Sequence, residues 1–283
     1  MFDGPIENAS LRILSLGAGV QSSVMALMAA QGEIGPMPDA AIFADTQWEP
    51  EPVYKHLDWL ETQLPFPVYR VSFGNIREIA LATTDSKIQK NWSPTMPIFI
   101  DSDSEKGGMG IRQCTKNFKI EPIEKKIRNL LGLKKGQRMP VGTQVETWIG
   151  ISKDELIRAK ESRTKWVTNR HPLIEKRMSR YECGLWFKER YPDRTLTRSA
   201  CIGCPYRSNE SWRNLRDTDE ESWLDAIDFD QRLRSGTRNG FGMPYPVYLH
   251  SSLKPLDLVD LSTDQDKGQL DMFGEECEGM CGV

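Results

Sequence analysis

The stretch LRILSLGAGVQSSVMALMAA, Leu11 to Ala30, decides the fold. Leu11, Ile13 and Leu14 read as a short apolar strand. Ser15-Leu16-Gly17-Ala18-Gly19-Val20-Gln21 reads as a tight turn, and Ser22 and Ser23 open an Ala/Met/Leu-rich helix. Serine is a good first-turn cap because its hydroxyl accepts from an orphan backbone N–H. Glycines let the backbone bend and approach a ligand without a Cβ in the way. Free N–H groups and the helix dipole at such a point favour an anion. The turn is therefore a candidate phosphate cradle in a first βα unit. It lacks the Lys of a Walker loop and the third Gly of a dinucleotide fingerprint.

The next segments extend the same pattern. Ala40 to Ala44 is a buried-looking strand ending in Asp45-Thr46, a polar pair that would face the crevice above the first turn. Pro50 to Gln63 has the apolar spacing of an amphipathic helix, Val68 to Phe73 alternates as a strand, and Ile76 to Thr84 suits a helix. Strands alternating with helices imply an α/β fold with a Rossmann-like, doubly wound parallel sheet. Asn91 to Gly110, rich in Pro and Gly, reads as a long loop covering the substrate. A helix to Leu131 and a strand from Glu146 to Ile151 follow. Ser152 reads as a helix cap with Glu155 at the capping-box position, and Asp154 and Arg158 share one helix face. Beyond a boundary near residue 150, the sequence predicts a mainly helical, cysteine-bearing portion over 151–283, after an adenine-nucleotide-binding domain over 1–150. Its helices are Met178–Arg190, Ser208–Asp217 and Asp219–Ser235, before an extended return over Tyr245–Leu261.

The chain has 283 residues and a formal net charge of −3, which argues against bulk nonspecific nucleic-acid binding. It has no apolar run long enough for a transmembrane helix, and its polar, acidic beginning is unlike a signal peptide. A cytoplasmic location is expected. Six cysteines in such a chain read as metal, redox or catalytic groups rather than disulfides. The three histidines, His56, His171 and His250, share no metal-set spacing; His56 reads as a helix-surface residue.

Arg198-Ser199-Ala200-Cys201-Ile202-Gly203-Cys204-Pro205 is the sharpest motif. Two thiols two residues apart can serve one metal centre from a single turn. An iron–sulfur cluster needs two further thiolates in the simplest case, a structural zinc two further N or S ligands, and a redox dithiol none. Cys114 and Cys183 are the further candidate ligands.

SLGAGVQSSV followed by AAIFADTQWEPE resembles the phosphoadenosine phosphosulfate (PAPS) reductase family, within the adenine-nucleotide α-hydrolase or PP-loop ATP pyrophosphatase group. GISKDELIR resembles that family's G-x-x-x-D-E-x-x-R signature, which implies that Asp154, Glu155 and Arg158 sit near nucleotide phosphates. The resemblance implies a nucleotide site of Ser15, Gly17, Gly19, Gln21, Ser22 and Ser23, with Asp45 and Thr46 adjoining. Arg112, Lys116 and Lys119 would neutralise the transferred anionic group. Cys114, Lys119 and Pro122 match the run that precedes a Cys-x-x-Cys in adenylyl-sulfate reductases, so a [4Fe–4S] cluster on Cys114, Cys183, Cys201 and Cys204 is expected, with zinc as alternative. Glu276-Cys277-Glu278-Gly279 is similar to the family's C-terminal Glu-Cys-Gly, which makes Cys277 and Cys281 the candidate nucleophiles or sulfur relay.

Two enzyme readings follow. In one, a Cys thiolate attacks the sulfur of PAPS or adenylyl sulfate, and a thioredoxin-like reductant frees sulfite. In the other, ATP with magnesium adenylylates a nucleic acid, into which sulfur from a donor is inserted as in DNA phosphorothioation or tRNA thiolation. A nucleotide-sensing regulatory module is the non-enzyme alternative. The loop, with Gln21 and without the usual Lys-Asp, favours the sulfonucleotide reading.

Overall fold

The structure, a computed structural model, describes residues 4–82, 95–102, 108–237, 245–263 and 266. Its centre is a five-stranded parallel sheet of β1 (Leu11–Leu16), β2 (Ala40–Asp45), β3 (Val68–Ser72), β6 (Val145–Ile149) and β7 (Val167–Arg170), in the order β3-β2-β1-β6-β7. The fold is α/β and Rossmann-like, as the strand–helix alternation implies.

Side-chain alternation explains the layering. Leu14, Leu16, Ala41 and Phe43 point to one face, where α1 (Val20–Ala30), α2 (Glu51–Gln63) and α6 (Arg180–Arg190) cover them. Ile13, Ala40, Ile42 and Val145 point to the other, against Ile127 of α4 (Glu121–Leu130). Both faces of the inner strands are thus covered, which is why they read as near-continuous apolar runs. β7 lies past residue 150, so the sheet draws its last strand from the second half of the chain.

A second core gathers α3 (Ile76–Ala82), α7 (Asn209–Thr218), α8 (Glu220–Thr237) and the Cys-x-x-Cys turn. A small antiparallel sheet of β4 (Phe99–Ile100), β5 (Gly108–Met109) and β8 (Val247–Tyr248) joins the segment after α3 to the late return of the chain. That sheet occupies part of the expected covering loop; 91–94 and 103–107 lie outside the described residues. α5 (Pro172–Glu175) precedes α6, whose cap is a full capping box between Ser179 and Glu182. Among the described residues no helix is long and apolar enough to cross a membrane.

Candidate functional site: an anion crevice beside three thiols

A crevice of about 850 Å³ opens over the carboxyl ends of β1 and β6. β1 pairs with β2 on one side and with β6 on the other, so this is the switch point where open parallel sheets bind ligands. Of the residues expected around phosphates, Ser15, Gly17, Gly19, Gln21 and Ser22 line it. The turn differs in detail. α1 begins at Val20, two residues earlier than the serines suggest, and its cap is Gly19 with no side-chain hydrogen bond. The first-turn N–H groups therefore lack an intrahelical or capping acceptor and suit a bound anion. Ser22 instead buttresses the turn: Gly17 N donates to its Oγ at 3.1 Å. The left-handed residue is Ala18, with φ +54°, not either glycine. Gly150 lets β6 close on the turn, because a Cβ there would stand 3.0 Å from Ser22 N and Cα.

Ser23 is not in the crevice. It is fully buried and shares a 2.9 Å hydrogen bond with His56 Nε2. His56, expected on the helix surface, is only 5% exposed, and burial pushes its pKa down to about 4. Asp45 accepts from Tyr54 Oη at 2.9 Å and from Gln47 N at 2.7 Å, which locks the end of β2. Burial, followed by the bond to Asp45, pushes the Tyr54 phenol well up.

The segment after β6 is a 3₁₀ turn, Lys153–Arg158. Ser152 makes no capping bond there. Glu155 is 3% exposed and lines the crevice, where it accepts from Gln21 Nε2 at 3.1 Å and pairs with Arg158 at 2.7 Å. Arg158 also lines the crevice. Asp154 turns away and caps α6 through Arg180 N at 3.2 Å. Arg112, Lys116 and Lys119 all line the crevice wall. Sequence reasoning gave no crevice role to Glu49, Lys160, Arg163 and Arg198, which also line it. Arg198 and Ser199, the first two residues of the cysteine motif, carry a legible signal; Lys160 and Arg163 sit in an irregular segment with none.

Arg112 also lines a second, small cavity of about 20 Å³, with Thr46, Thr115, Lys119, Cys114, Cys201 and Cys204. Its Nε and Nη2 are buried without a hydrogen-bond partner among the described residues. The Arg112 guanidinium lies 5.3 Å from the centre of the Tyr206 ring. Cys114 begins the helical run that continues as a π-helical turn, Thr115–Ile120, into α4.

The Cys-x-x-Cys turn is gripped from both sides. Cys204 N donates to Cys201 O, and Ile202 N donates to Trp48 O at 2.8 Å. Arg207 donates to the carbonyls of Ala200, Cys201 and Ile202, each at 3.1 Å. Burial pushes the Arg207 pKa down. Gly203 lies against the Trp48 indole, where a Cβ would come within 2.3 Å of Cη2. Cys201 Sγ contacts Thr46 Oγ1 at 3.2 Å and donates to Glu49 Oε1 at 3.7 Å. Ser199 Oγ donates to the other Glu49 oxygen at 3.3 Å.

Cys183 stands apart. It is fully buried on α6 in the first core, and desolvation pushes its thiol up to about 12. Cys114, Cys201 and Cys204 are brought together; Cys183 is not. Among the described residues no three His, Cys, Asp or Glu side chains are placed to hold a metal ion. As placed, these thiols do not fit a four-thiolate cluster. Cys277 and Cys281 lie outside the described residues.

No family model matches the chain. No curated protein matches it either. Among solved structures it is similar to a PAPS reductase from Candida auris in complex with phosphate. The TM-score is 0.40 and the identity 13%, over 66% of this chain and 74% of that one. That likeness is a distant one of fold.

Proposed function

We propose that the crevice binds an anionic adenine nucleotide and that the protein is an enzyme reducing the sulfonyl group of a sulfonucleotide, PAPS or adenylyl sulfate, to sulfite. The observation that carries this reading is the pair of buried Arg112 donors, Nε and Nη2, without a hydrogen-bond partner among the described residues, on a side chain that borders both the crevice and a small cavity lined by three cysteines. Unsatisfied buried donors are costly, and an anionic ligand would satisfy them. A sulfonucleotide has a phosphate for the α1 terminus and a sulfo group for Arg112 and Lys119. Its sulfur is the atom that a thiolate attacks. The adenine preference follows from the resemblance of the loop. Gln21, Glu155 and Arg158 form a hydrogen-bonded set that holds the outer wall in one geometry.

Arg112 and Lys119 neutralise charge as the sulfur–oxygen bond stretches, so their contribution belongs to the transition state. A thiol makes the attack and a second thiol releases sulfite. The sequence assigns the attack to Cys277 or Cys281, and a thioredoxin-like protein would restore the thiols.

Anaerobic turnover tests the reading. Adenylyl sulfate or PAPS with thioredoxin should yield sulfite. ATP and magnesium with nucleic acid should yield no pyrophosphate. Pyrophosphate without sulfite would replace this reading with sulfur insertion into nucleic acid. Nucleotide binding with neither product would leave a sensing module.

A further inference from the structure

Gln21 meets the crevice twice, through its backbone and through its side chain. It is the second residue of α1, so its N–H belongs to the first turn that suits an anion. Its side chain is half-buried and lines the crevice. Nε2 donates to Glu155 Oε2 at 3.1 Å and, at a longer 3.4 Å, to Ser152 Oγ. Ser152 is fully buried and Glu155 is 3% exposed, so both partners are held in place. Arg158 Nη1 pairs with the other Glu155 oxygen at 2.7 Å.

These contacts fix which way the amide faces. A carboxylate only accepts hydrogen bonds, so the amide turns its nitrogen towards Glu155. Rotated by half a turn, its oxygen would stand against the carboxylate. The oxygen is therefore the amide atom left over, and among the described residues no group donates to it. An acceptor beside an anion cradle selects its ligand chemically. Phosphate oxygens are acceptors themselves and gain nothing from it. The ligand must bring a donor to this point. In a nucleotide, the sugar hydroxyls are the donors nearest the 5′-phosphate.

We propose that Gln21 Oε1 accepts a hydrogen bond from a ribose hydroxyl and makes the crevice selective for ribonucleotides, with Glu155 as a positioning residue. The inference rests on the nucleotide reading of the crevice. Backbone N–H groups at the α1 terminus hold a phosphate but carry no information about the sugar. Gln21 adds that information from the same turn of helix. Glu155 keeps the amide nitrogen engaged, and Arg158 keeps Glu155 turned to it. A deoxy ligand leaves Oε1 without its donor, and a site built around a substrate hydroxyl discriminates for that reason. A phosphate in place of the hydroxyl would set an anion against both Oε1 and Glu155. The hydroxyl that Gln21 reads is therefore free in the substrate. If it is the 3′-hydroxyl, the substrate is adenylyl sulfate; if it is the 2′-hydroxyl, both sulfonucleotides fit.

Calorimetry on the full-length protein with adenosine 5′-monophosphate and its 2′-deoxy and 3′-deoxy analogues tests this without any sulfur chemistry. One of the two deoxynucleotides should bind about 10-fold more weakly than the parent, and which one names the hydroxyl. Gln21→Met should bring that ratio close to one by weakening the parent nucleotide alone. Glu155→Gln should narrow the ratio as well, because a neutral amide partner lets the Gln21 amide turn either way. A purely structural role for either residue would weaken all three ligands equally and leave the ratio unchanged. Thermal unfolding shows that each variant is folded. Equal binding of the three nucleotides by the unmodified protein would overturn the inference and leave the nucleotide site standing. A ratio that survives in Gln21→Met would do the same. No binding of adenosine 5′-monophosphate would overturn it together with the nucleotide reading of the crevice.

Discussion

Arg112 is the residue on which the reading turns. Charge-assisted hydrogen bonds contribute roughly 1.5–3 kcal/mol each, so Arg112→Ala should weaken sulfonucleotide binding by about 10- to 100-fold. The same change removes buried orphan donors, so the urea midpoint of the empty protein should hold or rise. Calorimetry on the variant checks the first point; an unchanged Kd would mean that the guanidinium does not meet the ligand. Gly203 gives a second residue-scale expectation. Its missing Cβ is where the Trp48 ring lies, and Trp48 is pinned by Asp225 and packed edge-on against Phe229. Gly203→Ala must displace that ring, and overpacking of this kind costs about 1–3 kcal/mol. Chemical denaturation measures it, and a loss near zero would show that the indole yields.

At the scale of elements, α8 is fastened to the returning chain by one carboxylate. Asp230 is fully buried, pairs with Arg234, and accepts the backbone N–H groups of Leu249 and Leu256. Asp230→Ala would leave an arginine and two buried N–H groups without that partner. Removing one partner of such a buried set costs about 3–5 kcal/mol. The variant should lose that much in denaturant unfolding, and nucleotide affinity should change far less than stability, since none of these residues borders the crevice. A proportional loss of affinity would tie α8 to the site. Elements were also the scale at which the sequence was most legible. β1, β2, β3 and α2 carry strong apolar patterns and appear within a residue or two of their expected bounds. β7 was passed over because Val167-Thr-Asn-Arg170 is short and polar; it is a strand only because β6 offers it an edge. The expected Met178–Arg190 helix is α6, which starts at Arg180 because Arg177 takes a left-handed φ of +56° and Ser179 caps afresh; the short α5 before it was not expected. The crevice loop was visible as a motif. That Ser23 and Asp154 face away from it was not, because each is claimed by a tertiary partner, His56 or the start of α6.

For the whole molecule, the buried histidines set the response to acid. Burial lowers all three from the ordinary 6.5, His56 to about 4. Between those values the unfolded chain binds protons that the folded chain refuses. Stability is therefore full above about pH 6.5 and falls as the pH drops towards 4. Urea midpoints at pH 7.5 and pH 5 should differ in that direction; equal midpoints would mean that the histidines titrate freely. The sheet order has a different consequence, for how the molecule is made. β1 lies between β2 and β6, with Leu11 beside Val145. The central strand can find its second neighbour only after more than half the chain has been synthesised. Until then its far edge stands open to any other extended segment, and closing so distant a pair is slow. An N-terminal fragment ending before Val145 would carry the whole phosphate-cradle motif and still lack the strand that completes it, with aggregation rather than nucleotide binding the expected fate.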